Sequence, residues 1–281
     1  MKIALVLQGG GARGIFTSGV LDGLLKDKIM VDHVYAVSAG GLNAMNYISE
    51  QIGRNRKATS LTFKSKDFKS IKNIVRKHTF VDFDYYFNKL NETLPFDSTK
   101  YNNSKTKLTV VATSLKTGKA HYFTKDVDSN FNECIKASAS IPLVAKAVKI
   151  NDDIFLDGGD SDPVPFEKAF LDGYRKVILI TTRPLDFRKD SKLDHFMERL
   201  YQLNYKNYPE YLTSLLNSHT NYNQEFDNLN KYNDSQLLII SPKENIDLKH
   251  LETNDEKLDY YYNLGLNEYE NIKKKLSEFI R

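Results

Sequence analysis

Cysteine is nearly absent from this 281-residue chain, in which Cys134 stands alone. A single thiol closes no intrachain disulfide and falls well short of a zinc site, which fits a reducing cytoplasm. No apolar run approaches the roughly 18–20 residues that a membrane-spanning helix requires. The opening Met1-Lys2-Ile3-Ala4-Leu5-Val6-Leu7 holds an apolar stretch of five, below the roughly 7–15 of a signal-peptide core. It runs into Gln8-Gly9-Gly10-Gly11 without a cleavage-type ending, so a buried strand is the better reading. A surplus of one charge is also lacking. Forty Lys and Arg face 36 Asp and Glu, a net of +4, which marks neither a dedicated nucleic-acid binder nor an acidic tail. With no HExxH pair and no aspartate-rich calcium loop, neither a metal nor another cofactor is expected.

What is present suits a globular protein with its own core. Hydrophobic residues make up 41% and charged residues 27%, and a chain of this length buries about three quarters of its unfolded surface. Short apolar runs read as strands at Ile3–Leu7, Val34–Val37, Leu108–Ala112, Ala120–Phe123, Ile154–Leu156, Val177–Thr181 and Leu237–Ile240. Thr117-Gly118 is the expected turn of a hairpin. Helical spacing fills residues 13–28, the stretch to about Gln51, 189–235 with a break at Pro209, and about Asp255 to Ile280. Strands alternating with helices predict an α/β fold with a mostly parallel sheet covered on both faces. No repeat and no linker divides the chain. Residues 1–185 are expected to form the catalytic part, and 186–281 a mainly helical region completing or appended to the same domain.

Three motifs carry chemistry. Gly9-Gly10-Gly11-Ala12-Arg13-Gly14 follows the first strand and opens a helix, aiming backbone N–H groups at one place. That loop suits a dinucleotide pyrophosphate, an acyl-transfer oxyanion, or no ligand at all. Ala36-Val37-Ser38-Ala39-Gly40 arbitrates: it puts a serine between a strand and a helix, with small residues two positions to either side, as in a nucleophile elbow. Ala36 stands where the elbow pattern has glycine. A dinucleotide site would want an acid at the end of this strand, and the nearest, Asp32, precedes it. Phe155-Leu156-Asp157-Gly158-Gly159 places an aspartate at a strand end before two glycines, a plain turn in isolation and a candidate general base beside a serine elbow.

Together these blocks resemble the patatin-like phospholipase family, whose pattern is a GGGxRG/K loop, a GxSxG elbow and a D-G-G/A motif with a Ser–Asp dyad. Residues 1–51 and about 108–182 carry the likeness, including Ala137-Ser138-Ala139-Ser140-Ile141-Pro142, which is similar to the family's A-S-x-A-x-P block. The resemblance implies a three-layer α/β/α fold with a helical C-terminal appendage. It also implies a lipid acyl-ester hydrolase of the phospholipase A or lysophospholipase kind. By that likeness Ser38 is the nucleophile and Asp157 the base, next to Gly158 and Gly159. Ala36 and Gly40 shape the elbow, and Gly9, Gly10, Gly11, Ala12, Arg13 and Gly14 form the oxyanion loop. Arg13 further positions that loop or an anionic head group. A triad would need His195, His219 or His250, but none follows a strand and turn, so a dyad without histidine is expected. The alternatives are a non-catalytic lipid- or acyl-binding protein of the same fold and a nucleotide-binding enzyme.

The small net charge hides a local one. Arg54–His78 holds nine Lys and Arg against Asp67, a net of +8, leaving −4 for the rest. Phe68, Ile71, Ile74 and Val75 fall between these charges at near-helical spacing. The segment reads either as a solvated helix face packed on the core, or as a peripheral contact with an anionic membrane from the cytoplasmic side. No groove-reading motif or stacking array accompanies it, so no nucleic-acid partner is expected. The expected partner is a lipid or other acyl-ester substrate.

Overall fold

The computed structural model describes residues 2–73, 79–190, 194–245 and 247–281. Eight strands form one sheet: β1 (Ile3–Leu7), β2 (His33–Val37), β3 (Lys107–Ser114), β4 (Ala120–Thr124), β5 (Val148–Ile150), β6 (Asp153–Asp157), β7 (Lys176–Ile180) and β8 (Leu237–Ile240). Helices are α1 (Gly14–Lys26), α2 (Ala39–Ile48), α3 (Arg54–Lys64), α4 (Leu90–Thr93), α5 (Ser98–Asn103), α6 (Phe131–Ser138), α7 (Phe166–Leu171), α8 (His195–Tyr205), α9 (Pro209–Leu216), α10 (Ser218–Asn228) and α11 (Asp255–Ile280). The order across the sheet is β5-β6-β3-β2-β1-β7-β8, with β4 also paired to β3. Strands β3, β2, β1, β7 and β8 run parallel, while β4, β5 and β6 add antiparallel pairings at the β3 end.

Alternation along the strands makes the layers. In β1, Leu5 and Leu7 enter a core with α1, α2, α6 and α11 residues, while Ala4 and Val6 enter a second core with α7 and α10 residues. Successive side chains of a strand point to opposite faces, so a run apolar at every position must be covered twice. The three-layer α/β/α arrangement follows. Strand β5 was not foreseen. It is three residues long, at the sheet edge and nowhere fully buried, so it carries no apolar run to read.

The C-terminal region is no loose appendage. Strand β8 extends the sheet beside β7, and Leu258, Tyr261, Tyr269, Leu276 and Phe279 of α11 share the larger core with β1 and α1. Helices α1 and α11 cross at two glycines. A Cβ at Gly19 would lie 2.1 Å from the Tyr262 carbonyl oxygen, and one at Gly265 would lie 2.1 Å from that of Phe16. Pro209 starts α9 at its first turn, where a missing N–H costs nothing.

Strand β3 is the hinge of the design. Its first half pairs with β2, up to Val37 opposite Val111; its last residues pair with β6, beginning with Ala112 opposite Asp157. Strands β2 and β6 therefore run toward each other along β3 and end at adjacent register positions. Their next contributions to the chain are Ser38 and the Asp157-Gly158-Gly159 turn.

The basic segment is divided. Part of it, 74–78 with Ile74, Val75, Arg76, Lys77 and His78, lies outside the described residues. Arg54 is buried and bonded to Asn46, Asn91 and the carbonyls of Leu94 and Pro95. Arg56 pairs with Asp255 and Asp259, and Lys64 with Asp255. These charges fasten α3 to α11 rather than face solvent freely. Lys57, Lys66 and Lys72 are exposed, as are Leu61 and Ile71. No helix among the described residues is long and apolar enough to cross a membrane.

Candidate active site

Ser38 sits on a strained turn. Its φ of 56° and ψ of −125° place a non-glycine residue in left-handed territory between β2 and α2; such strain persists only where the surroundings enforce it. Its N–H donates to Ser138 Oγ at 3.0 Å, which gives the Ala137–Pro142 block a job. Gly40 makes the turn possible, since a Cβ there would lie 2.7 Å from the Leu7 carbonyl oxygen. Ala36, the departure from the elbow pattern, is buried within the larger core, where its methyl is accommodated.

The glycine loop runs directly beside this serine, with Gly9 so near that a Cβ would lie 3.0 Å from Ser38 Cβ. Gly10 and Gly11 have positive φ of 149° and 55°, and their N–H groups meet no protein acceptor among the described residues. Three further members of the predicted oxyanion loop are spent otherwise. Ala12 N–H donates to the His250 carbonyl at 2.9 Å, Arg13 N–H to the Gly10 carbonyl at 3.2 Å, and Gly14 N–H to Ala12 and Gly11 carbonyls. With these donors taken up, Gly9, Gly10 and Gly11 are the loop members whose N–H groups meet no protein acceptor among the described residues. Ala39 N–H, just past the serine, is also without a protein acceptor among the described residues, and the elbow geometry points such a group toward an oxyanion. Thr182 anchors the loop from β7: its hydroxyl donates to the Gly9 carbonyl at 2.6 Å and its N–H to Gln8 Oε1 at 2.7 Å.

Asp157 is 7% exposed. Its carboxylate accepts from Gly159 N–H at 2.8 Å. Burial pushes it up to about 6, against the stabilising pull of the Gly159 N–H, the Ser38 hydroxyl and Lys189. The serine is thus near enough to favour the carboxylate, although the pair lacks the geometry of a fully formed hydrogen bond, a looseness common before substrate binds. Gly158 fits under the turn because a Cβ there would lie 2.2 Å from the Val111 carbonyl oxygen.

Around this pair, Asp160 and Lys189 had no signal in the sequence, whereas Arg13 and His250 were already candidates there. Asp160, three positions on, is buried and accepts from Tyr211 Oη at 2.9 Å; burial first, and then Asp157, push it up to about 7. Lys189 is lowered by burial despite Asp160 and Asp157. Arg13 is lowered to about 10 by burial and by Arg183, and its buried Nε has no hydrogen-bond partner among the described residues. His250 comes from the loop between β8 and α11. A Cβ on Gly11 would lie 2.7 Å from its ring, so the missing side chain is what lets it pack there. The ring's pKa is lowered by desolvation and then by Arg13, Arg183 and Lys189, with one side of the residue still exposed. By contrast His195 is almost fully exposed, with its Nδ1 3.8 Å from Glu198 Oε2. Cys134 is buried and its thiol raised to about 12 by desolvation, which leaves it inert.

Two cavities meet at Ser38. One, about 720 Å³ including its open mouth, is walled by apolar side chains such as Leu42, Phe63, Phe68, Phe83, Ile141 and Val144. Helix α3 and the segment after it supply much of that wall. The other sets the charged side chains of Asp157, Asp160, Arg13, Arg183 and Lys189 among apolar ones such as Ile141, Pro142 and Phe187. His250 borders both. No group of three or more metal-ligating side chains with the right disposition occurs among the described residues.

A family model described as patatin-like phospholipase matches residues 5–170, and one described as a domain of unknown function (DUF6363) matches residues 208–281. Among curated proteins, the uncharacterized protein YjjU of Escherichia coli (strain K12) is 29% identical over 197 residues, covering 65% of this chain and 52% of that protein. The chain thus matches about half the length of that relative. Among solved structures, VipD from Legionella pneumophila aligns over 98% of this chain and 67% of its own, at 11% identity and a TM-score of 0.48. With the family model spanning more than half of its residues, the three motifs included, the chain belongs to the patatin-like phospholipase family.

Proposed function

We propose that the protein is a serine acyl-ester hydrolase acting on lipids, with Ser38 as nucleophile and Asp157 as its base. One observation carries this reading: the ends of β2 and β6, meeting along β3, bring a strained serine and a buried carboxylate together beside glycine-loop N–H groups that meet no protein acceptor among the described residues. Ser38 Oγ attacks the ester carbonyl while its proton passes to Asp157. Gly10 and Gly11 N–H groups, with Ala39 N–H, receive the oxyanion, each donor contributing roughly 2.7–4 kcal/mol in comparable sites. The alcohol leaves with the proton from Asp157. Water, deprotonated by the same carboxylate, then cleaves the acyl-serine and restores both groups. The apolar cavity suits an acyl chain.

A fluorophosphonate probe and a chain-length series of p-nitrophenyl esters, run beside a phospholipid, test the reading. Labelling and turnover are expected in the native protein, absent in Ser38→Ala and nearly absent in Asp157→Asn. A native protein that neither labels nor hydrolyses any of these esters defeats it. Peripheral contact with anionic membrane, through exposed Lys57, Lys66 and Lys72 beside Leu61 and Ile71, belongs to the same proposal. It predicts co-sedimentation with anionic liposomes but not neutral ones; equal behaviour toward both would exclude it.

A further inference from the structure

We propose that the C-terminal region, through His250 on the loop between β8 and α11, selects the acyl groups that reach Ser38: straight chains pass, and chains branched next to the carbonyl are turned away. The inference rests on the hydrolase reading above and narrows its substrates. Among the described residues, three line both cavities at the site: Ser38, Ile141 and His250. An ester attacked by Ser38 has its carbonyl carbon at that junction and its acyl chain in the apolar cavity. The first carbon of the chain must then pass the side chains that divide the two cavities, and those are Ile141 and His250.

Both residues are held by their backbones. His250 arrives over the glycine loop, where its carbonyl accepts from Ala12 N–H at 2.9 Å. A Cβ on Gly11 would lie 2.6 Å from that carbonyl oxygen and 2.7 Å from the ring, so the loop seats the backbone and the ring of His250 together. The strap is tied on either side of the histidine. Leu248 is buried in the larger core, the Leu251 carbonyl accepts from Lys69 Nζ at 3.3 Å, and the Glu252 carboxylate accepts from the Thr253 and Asn254 N–H groups at 2.9 and 3.0 Å. Ile141 belongs to the block on which the serine leans, whose Ser138 accepts from Ser38 N–H. Its own N–H donates to the Ala139 carbonyl at 3.1 Å, and its carbonyl accepts from Val144 and Ala145 N–H at 3.1 and 2.9 Å. Side chains anchored in this way withdraw little, so a methyl group beside the ester carbonyl meets the ring instead of displacing it. Desolvation, with Arg13, Arg183 and Lys189 nearby, keeps the imidazole uncharged at neutral pH. An uncharged ring can border an apolar cavity without the cost of a buried charge. His250 lies outside residues 5–170 and inside 208–281, the part matched by the domain of unknown function. The matched portion thus brings the serine, the aspartate and the glycine loop, and the C-terminal region divides the cavities they open into.

Two esters test the assignment: p-nitrophenyl pentanoate and its α-methyl counterpart. Hydroxide alone favours the straight ester, so the quantity read is the ratio of kcat/KM values divided by the ratio of hydroxide rate constants. In the native protein it is expected to be about tenfold or more, the discrimination that one ill-fitting methylene commonly brings. His250→Ala should bring it toward one, and His250→Trp, a larger ring on the same backbone, should raise it. His250→Gln, whose side chain reaches about as far, should keep most of it. Both esters are measured on one preparation, so partial loss of folded protein cancels. A native value near one, or a value that neither His250→Ala nor His250→Trp moves, overturns the proposal while leaving ester hydrolysis standing. If Ile141→Ala relaxes it and neither of those substitutions does, the selection lies in the Ala137–Pro142 block and the role of the C-terminal region is overturned. Calorimetry on Ser38→Ala with decanoate and α-methyldecanoate reads the same divide without turnover. Tighter binding of the straight acid, with the preference lost when His250→Ala is added, supports the proposal even if no ester is hydrolysed. Equal binding of the two acids, or binding of neither, overturns it in a chain that turns over no ester.

Discussion

If Asp157 is the base, the protein's activity must carry that residue's titration, and the structure says where. A carboxyl normally near 3.8 is pushed up to about 6, because burial outweighs the Gly159 N–H, the Ser38 hydroxyl and Lys189. Only the ionised form accepts a proton, so kcat/KM falls as pH drops through that value. With a limb at about 6, about nine tenths of the enzyme is active at pH 7 and about one tenth at pH 5, roughly a tenfold fall. Asp160 sharpens the expectation. It is buried beside Asp157 and raised to about 7, so the two carboxyls share a coupled titration. Asp160→Asn keeps an amide oxygen to accept from Tyr211, and because Asp160 is still largely protonated where Asp157 titrates, the limb should stay near 6. The assay is kcat/KM for a soluble, non-ionising ester between about pH 4.5 and about pH 8.5. Circular dichroism at each pH reports folding. A profile flat across that range would falsify the assignment of Asp157 as an elevated base.

The same burial has a price in stability. A raised carboxyl pKa favours folding below about 3.8 and loses that advantage as pH rises through about 6, so near neutrality Asp157 costs about 3 kcal/mol at most. Asp157→Asn should therefore raise Tm at about pH 7.5 and leave it nearly unchanged at about pH 4; a lowered Tm at the higher pH contradicts the reasoning. Gly265→Ala forces a Cβ within 2.1 Å of the Phe16 carbonyl oxygen, and overpacking of this kind costs about 1–3 kcal/mol. Urea unfolding should show it as a lowered midpoint at unchanged slope, and an unchanged midpoint would mean the helices slide apart freely. His250→Gln should reduce ester turnover by less than about tenfold, since a positioned acid or base typically contributes about 10²–10⁴-fold and the dyad needs none from histidine. A thousandfold loss would make His250 a third catalytic member.

The strands and most helices follow from local pattern. An apolar run such as Ile3–Leu7 can satisfy water's exclusion only between two helical layers, and Asp255–Ile280 carries helical periodicity from end to end. The three motifs are legible for the same reason: Gly40 and Gly158 must be glycine because a backbone oxygen stands where a side chain would be, and Ser38 must hold an elbow between strand and helix. Such requirements are local, and local requirements leave marks in a single stretch of chain.

Contacts between distant segments leave none. Nothing near Asp157 announces that β6 will end against β2, because the meeting is set by their shared partner β3. His250, Arg183 and Lys189 reach the serine through loops after β7 and β8, and a lysine in a loop reads as solvated wherever the loop goes. The charges of Arg54, Arg56 and Lys64 look like a membrane-facing run until their partners, on α4, the turn after it and α11, come into view. The sequence by itself determined the layers and the elbow, and marked Ser38 and Asp157 as candidates. Tertiary structure alone decided which loop donors stay free, how far burial lifts the Asp157 carboxyl, and that an apolar cavity and one holding charged side chains meet at one hydroxyl, since each depends on the distance between residues far apart in the chain.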